Sequence, residues 1–408
     1  MACFVDRYVR CVHIIRMWID RTAQTLLQKM AGQFPVVLVT GARQTGKTSL
    51  LRHAFRNAAY ITLDLPAAAE AAVSAPEELL DKLPEPLIID EIQYAPSLMR
   101  HLKVRIDKQR RPGRFLLTGS QTFALMQGVS ESLAGRCGVL ELHTLSHAEL
   151  VKAGLQTNEK SYVFIGGYPE LHVGAAHELW FPSYVATYLE RDVRNVLRVV
   201  DLQDFNRFIR ACALRTAQML NYSDIARDSG IAPNTARKWL SVLQTSSVVT
   251  LVEPFFGNRT KRLIKTPKLM FLDTGLAAFL AGFTSADGLF SSGYAGAFWE
   301  AHVFGQVRRA FANLGLSTPI CYWQTASGHE VDLVIETEPG SLIAIECKCK
   351  EKPDLKDSAN LRVFRETEGK RLKQWMIVAR TPTTYRLADG TWVTDVNGCI
   401  ERIFGNRK

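Results

Sequence analysis

The run Gly41-Ala42-Arg43-Gln44-Thr45-Gly46-Lys47-Thr48 fits the pattern G-x-x-x-x-G-K-[ST] in full. It lies between a wholly apolar stretch, Pro35-Val-Val-Leu-Val-Thr40, and a helix expected over about 47–56. That context is what the mechanism of such a loop requires. Its glycines let successive backbone N–H groups curl around phosphates at a helix N-terminus, where the dipole favours negative charge. Gly41, Ala42, Arg43, Gln44, Thr45, Gly46, Lys47, Thr48 and Ser49 form the expected nucleotide site. Lys47 is placed to reach the β- and γ-phosphates, and the Thr48 hydroxyl to hold Mg²⁺. The implied ligands are ATP and Mg²⁺.

An apolar strand buried on both faces belongs to a parallel sheet. Comparable runs recur at 60–64, 87–90, 115–118 and 138–142, alternating with helical sequence, so the first third reads as an α/β domain. Leu87-Ile-Ile-Asp90-Glu91 ends in two acids. Asp90 suits the metal shell and Glu91 the polarisation of an attacking water. Phe115-Leu-Leu-Thr118-Gly-Ser120 is a further buried strand running into polar residues. Ser120 or Thr118 serves there either as a water-positioning group or as the cap of the next helix.

The chain of 408 residues has room for two to four domains. A helical lid is expected over 147–213, broken by Gly and Pro at 166–169. Over 214–290, a short helix with a capping serine (223–228), Gly230 and a second helix from Pro233 to Leu243 form a helix-turn-helix. With strands at 248–252 and 269–272 they suggest a winged helix. From 291 to 408 the expected order is a helix over 297–314 and strands at 320–324, 330–336 and 341–347. A helix to about 369 and a strand at 374–379 complete it.

Eight cysteines show no pairing pattern, and Cys347 and Cys349 have no second pair to make a zinc site, so reduced thiols in a cytoplasm are expected. No stretch of about 18 uncharged apolar residues occurs, so no membrane-spanning helix is expected. The net charge of +10 favours a polyanionic partner.

Taken together, the phosphate loop, Leu-Ile-Ile-Asp90-Glu91-Ile-Gln93 and Leu-Leu-Thr118-Gly-Ser120 resemble a large prokaryotic family of AAA+ ATPases. So do Ser132-Leu-Ala-Gly135-Arg136, Gly166-Gly-Tyr-Pro169, Tyr188-Leu-Glu-Arg191-Asp192 and Lys268-Leu-Met-Phe-Leu-Asp273-Thr-Gly-Leu276. The similarity covers roughly residues 18–380. It implies an AAA+ core over 18–146 and assembly into a homo-oligomer, such as a hexameric ring. It also implies a C-terminal domain of unknown function that resembles restriction endonucleases. Arg136 is the candidate finger that contacts a neighbour's γ-phosphate, and Arg191 a candidate sensor arginine; either is equally an ion-pair partner within the fold.

The C-terminal acids carry a resemblance of their own. Glu330-Val-Asp332 followed by Ile343-Ala-Ile-Glu346-Cys-Lys348 is similar to the PD-(D/E)xK nuclease motif. On adjacent strands Asp332 and Glu346 face each other, and the period of two sets Glu346 and Lys348 on one face. Two carboxylates then hold Mg²⁺ while the lysine orients a water. Glu300 matches the accessory acid of that motif, and Gln324 is a weaker companion. The same pattern also describes a hairpin whose outward positions are simply charged.

Nucleic-acid contact is expected from Arg227, Arg237 and Lys238 on the two short helices and from the basic loop Arg259, Lys261, Arg262 and Lys265. The leading expectation is an AAA+ ATPase acting on branched or otherwise structured DNA. The alternatives are a switch ATPase that controls a protein partner, and a nucleotide-gated nuclease.

Overall fold

Every residue of β1 (Val36–Thr40) is buried, because the strand has a packed layer on each side. Val36 and Leu38 meet Leu98, Leu102 and Ile106 of the helix Leu98–Lys108. Val37 and Val39 meet Leu27 of α1 (Ala23–Ala31) and Leu50 and Leu51 of α2 (Lys47–Ala54). The computed structural model describes residues 18–119, 129, 131–155, 157–189, 202–255, 266–317 and 319–405. With β2 (Ala59–Thr62), β3 (Leu87–Asp90), β4 (Phe115–Thr118) and β5 (Cys137–Glu141), β1 forms a parallel sheet of order β2-β3-β4-β1-β5. That order sets the C-terminal ends of β1, β3 and β4 side by side. Thr40, Asp90 and Thr118 therefore share one edge.

Among the described residues of the expected lid, short helices at His147–Lys152, Glu159–Ile165, Pro169–His172 and His177–Tyr184 lie on either side of the break expected at 166–169. The helix α3 (Leu202–Ala213), the last part of the expected lid, packs on α4 (Tyr222–Ser229), which in turn packs on α5 (Pro233–Thr245). The strands β6 (Gln218–Met219), β7 (Val249–Val252) and β8 (Lys268–Phe271) pair antiparallel in the order β6-β8-β7 beside these helices. The cap of α4 is Asn221 rather than the serine: its side chain accepts from the N–H groups of Ser223 and Asp224. Gly230 closes the same helix in the left-handed region, φ 72°, where a side chain would be strained.

A mixed sheet makes the C-terminal part. The helix α6 (Ala295–Asn313) leads into β9 (Ile320–Gln324), β10 (Glu330–Glu338) and β11 (Ser341–Lys348), which are antiparallel to one another. After α7 (Ala359–Glu368), β12 (Leu372–Ala379) returns parallel to β11. With β13 (Tyr385–Arg386) and β14 (Trp392–Thr394) the order is β13-β14-β12-β11-β10-β9. One face of this sheet, through Leu333, Ile335, Ile343, Ile345 and Met376, joins a continuous core with Trp299, Phe271, Trp239 and Phe208. The three-helix unit and the mixed sheet are thus packed on shared apolar residues. The opposite face, through Val331, Val334, Leu342 and Ala344, is covered by Leu361 and Phe364 of α7. No described helix is long and apolar enough to cross a membrane, and no disulfide links the described cysteines.

Candidate functional site

Gly41 is fixed by crowding: a Cβ there would lie 2.2 Å from the Leu142 carbonyl oxygen, and its φ of 133° is open to glycine. Gly46, at φ 88°, caps the start of α2, so the loop turns directly into the helix N-terminus. Lys47 is buried, and its Nζ donates to the carbonyls of Gly41 (3.2 Å) and Ala42 (2.8 Å) across the loop. The Thr45 hydroxyl braces the same turn by donating to Ala42 O, 3.0 Å. Gln44, Gly46 and exposed Ser49 line a cleft of about 200 Å³ beside the loop.

Asp90 is the meeting point of three strands. Its Oδ1 accepts from Thr48 Oγ1 at 2.6 Å and from Thr118 Oγ1 at 2.5 Å, and its Oδ2 from the Tyr60 hydroxyl at 3.0 Å. Burial, and then the Asp90 charge, push the Tyr60 phenol up, which keeps it a donor. The Thr118 hydroxyl also accepts from the Glu91 N–H, 3.0 Å. Thr118 therefore positions both acids, while Ser120 lies outside the described residues. Glu91 sits in the left-handed region, φ 58°, a conformation that costs a non-glycine residue on the order of 1–3 kcal/mol. The turn aims its carboxylate out of the strand line, where the Gln93 side-chain amide donates to it.

Several contributors carry no local signal in the sequence. The opposite wall of the cleft is made by Trp18, Ile19, Arg21, Leu145, Pro169, Glu170 and Val173. Trp18 stacks on His53 of α2, with centroids 3.9 Å apart. Arg21, almost wholly buried, donates to Thr45 O (2.8 Å) in the loop and to His143 O (2.6 Å) after β5. Its partner Glu149 simultaneously completes a capping box with Ser146. That Ser-x-x-Glu spacing is the one visible sequence cue.

Arg136 lies on the same domain's surface in a two-pronged ion pair with Asp107, 2.7 and 3.0 Å, and also donates to Ala134 O. Arg191 and the basic-loop residues Arg259, Lys261, Arg262 and Lys265 lie outside the described residues. On the three-helix unit, Arg227 is exposed but paired with Asp224 (2.9 Å) and Asp228 (3.7 Å). Arg237 lies over the Tyr222 ring, 4.8 Å from its centroid, and both it and Lys238 are exposed.

In the mixed sheet, Asp332 lies one residue beyond the Leu333–Ile345 pair, across from Glu346. An extra residue in β10 between Val331 and Val334 shifts its register against β9 beside Asp332, a bulge that the sequence does not announce. Asp332 Oδ2 accepts from the Cys347 N–H at 2.7 Å, and Lys348 Nζ pairs with Glu346 Oε1 at 2.7 Å. Glu300 joins Glu330 and Asp332, with carboxylate oxygens all within 4.8 Å of one another. Burial, and then the Asp332 charge, hold Glu300 well above the usual carboxylate range; the same two causes push Glu346 up to about 8. Lys268 of β8, which the sequence places in a family motif but not in this site, enters the cluster: its Nζ lies 2.7 Å from Glu300 Oε1 and is also paired with Glu330. Burial alone would lower the Lys268 pKa, but Glu300, Asp332 and Glu330 override it and hold the ammonium above its ordinary range.

With this geometry in view, comparisons with known proteins locate the chain. Residues 33–151 match the AAA domain model; residues 156–287 and 295–398 match two domains of unknown function, DUF8612 and DUF4143. The uncharacterized protein Rv2008c of Mycobacterium tuberculosis is 32% identical over 320 residues, spanning 78% of this chain and 71% of the relative. The uncharacterized protein Mb2031c of Mycobacterium bovis matches to the same extent. This chain belongs to the family of these two proteins, and its phosphate-loop domain is an AAA domain. That AAA domain is the P-loop ATPase part of the molecule. Among solved structures, the Walker-type ATPase paby2304 of Pyrococcus abyssi aligns with a TM-score of 0.43 at 17% identity, covering 64% of this chain and 96% of that one. AMPPCP-bound DnaA from Aquifex aeolicus aligns with a TM-score of 0.30 at 14% identity, covering 54% and 85%.

Proposed function

We propose that this protein hydrolyses ATP as an oligomeric AAA+ ATPase and directs that energy to DNA. The observation that carries the reading is the joint placement of Thr48, Asp90 and Thr118 within hydrogen-bond distance, with Glu91 next in the chain. Thr48 Oγ1 and Asp90 Oδ1, 2.6 Å apart beside the loop, are the groups that would hold Mg²⁺. When bound, that ion would supply charge neutralisation to the nucleotide's phosphates. The chain's own groups do the rest. Backbone N–H groups of residues 41–48 cradle the phosphates, Lys47 exchanges its loop carbonyls for phosphate oxygens, and Glu91 takes a proton from the attacking water. The cleft between Trp18 and Pro169 has the place and the apolar walls for the base. In a ring, Arg136 would leave Asp107 to reach a neighbour's γ-phosphate, an exchange of one anionic partner for another.

The DNA part rests on the order α3, β6, α4, α5, β7, β8, which is that of a winged helix, and on exposed Arg237 and Lys238. The deciding measurement is ATP turnover with and without duplex, single-stranded and four-way-junction DNA, alongside binding across a salt series. Stimulation by one of them, with affinity falling steeply as salt rises, is the expected result. Absence of both removes DNA from the function. One observation favours the second reading, a switch that acts on a protein partner: Arg227 and Arg215 are engaged by acids of their own unit, Asp224 and Asp228, which thins the cationic surface. Slow turnover, tight ATP retention and a partner that survives nuclease treatment are its signature.

A further inference from the structure

The carboxylate cluster of the mixed sheet already receives a cation, and it comes from another sheet. Lys268 belongs to β8, where it pairs in register with Met219 of β6 and Val252 of β7, yet its side chain crosses to the C-terminal part. It is 2% exposed, so the ammonium has no recourse to water. Its Nζ is 2.7 Å from Glu300 Oε1, in contact with Glu330 Oε1 and 3.9 Å from Asp332 Oδ1. The ring of Tyr322 in β9 covers the ammonium at 5.4 Å, and the Tyr322 hydroxyl donates to Thr266 O at 2.7 Å, pinning the backbone two residues before Lys268. Position and approach are therefore both fixed.

Glu300, Glu330 and Asp332 present three oxygens at the mutual spacing a divalent cation needs. Such an ion would sit where the three oxygens converge, which is where the Lys268 ammonium lies. Two cationic centres at that separation in a largely buried site repel strongly. Within the motif pair, Lys348 holds Glu346 Oε1 and the Cys347 N–H holds Asp332 Oδ2. A divalent cation on Glu300, Glu330 and Asp332 therefore does not fit beside Lys268.

We propose that Lys268 is the resident cation of this site and excludes a divalent metal from Glu300, Glu330 and Asp332. Because Lys268 rides on β8, the same contact latches the three-helix unit to the mixed sheet. The inference concerns the metal content of the C-terminal domain and stands independently of what the ATPase acts on.

Mn²⁺ is the probe, added to the full chain without nucleotide, with bound ion counted by the loss of its free paramagnetic signal. Wild type and Asp332→Asn are expected to bind the same amount, since no ion uses Asp332 while Lys268 is in place. Lys268→Met is expected to gain one Mn²⁺ per chain and to melt higher with Mn²⁺ than without it. Lys268→Met/Asp332→Asn should lose that gain, and Lys268→Arg, which keeps the charge, should not show it. A wild-type protein that loses a bound Mn²⁺ on Asp332→Asn overturns the proposal, as does a folded Lys268→Met that gains none. Should Lys268→Met not fold even with Mn²⁺ present, wild type decides alone. Fe²⁺ with ascorbate is expected to leave the backbone around residues 330–348 uncut, and cleavage there refutes the exclusion.

Discussion

Thr118 shows how much of the catalytic arrangement depends on one hydroxyl. It gives its proton to Asp90 and takes the N–H of Glu91, so it orients the metal-shell acid and the water-activating acid together. Thr118→Val keeps the shape and removes both bonds. A hydrogen bond to a charged group is worth about 1.5–3 kcal/mol, so ATP turnover should fall roughly tenfold to a hundredfold while nucleotide affinity changes little. Glu91→Gln should go further, lowering turnover by about 10²–10⁴-fold with ATP still bound. Steady-state turnover paired with a fluorescent-nucleotide titration separates the two effects; a Glu91→Gln protein turning over at the wild-type rate would remove Glu91 from the chemistry. His143 makes a prediction of another kind. Burial, aided by Arg308, Arg309 and Arg21, lowers its pKa from 6.5 to about 4, against the opposing pull of Glu141. The folded protein thus holds it neutral where the unfolded chain protonates it. Its contribution is complete above pH 6.5 and is lost as pH falls toward 4, to a limit of about 3 kcal/mol. Urea midpoints for wild type should drop over that interval, and His143→Gln should flatten the drop; equal slopes would contradict the assignment.

At the scale of elements, α5 is the part of the proposed winged helix open to nucleic acid. Its exposed Arg237 and Lys238 stand on the side opposite buried Trp239, Leu240 and Leu243. Reversing both charges, Arg237→Glu with Lys238→Glu, should weaken DNA binding without altering basal ATP turnover. The plot of log affinity against log salt should also become shallower by about 0.9 for each phosphate that is no longer neutralised. An unchanged slope in fluorescence anisotropy would point to the protein-partner reading. This unit also shows where sequence reading succeeds. Gly230 and Pro233 are local signals with local causes, and the strand expected at 248–252 differs by only one residue from the observed Val249–Val252. The phosphate loop is legible for the same reason: its physics is contained in eight consecutive residues and their flanks. What the sequence hides is contact at long range. Nothing near Lys268 says that it will meet Glu300, and nothing near Arg21 says that it will bridge Thr45 and His143. The bulge beside Asp332 depends on how β9 and β10 register, which no single strand encodes.

Across the whole molecule, the phosphate loop is joined to the C-terminal helix α6 by a short polar chain. Arg21 ties Thr45 O to His143 O, and the next residue, Thr144, gives its hydroxyl proton to Asp273 Oδ2 at 2.9 Å. Asp273 also accepts from the Gly167 N–H and, through Oδ1, from Gly275 and Leu276, so it stitches the Gly166-Gly167-Tyr168-Pro169 turn to the helix Thr274–Leu280. The fit is tight: a Cβ on Gly166 would lie 2.1 Å from Asp273 Oδ1, and one on Gly275 the same distance from Ile165 O. Arg309 of α6 completes the junction by donating to Thr144 O, Thr144 Oγ1 and Leu272 O. Two motifs that lie far apart in the sequence thus form one buried joint beside the AAA domain. Removing the shared acceptor strands several donors at once, so Asp273→Ala should cost about 3–5 kcal/mol of stability. If the joint also transmits nucleotide state, ATP should slow amide exchange both in residues 41–48 and in residues 272–280 of the wild type. Arg21→Ala breaks the chain at its first link. It should keep part of the protection at the loop and lose the distant protection. Hydrogen exchange by mass spectrometry reads both regions in one experiment. Distant protection that survives Arg21→Ala would mean that the joint is only structural, because a coupling route must respond when the element both sites share is altered.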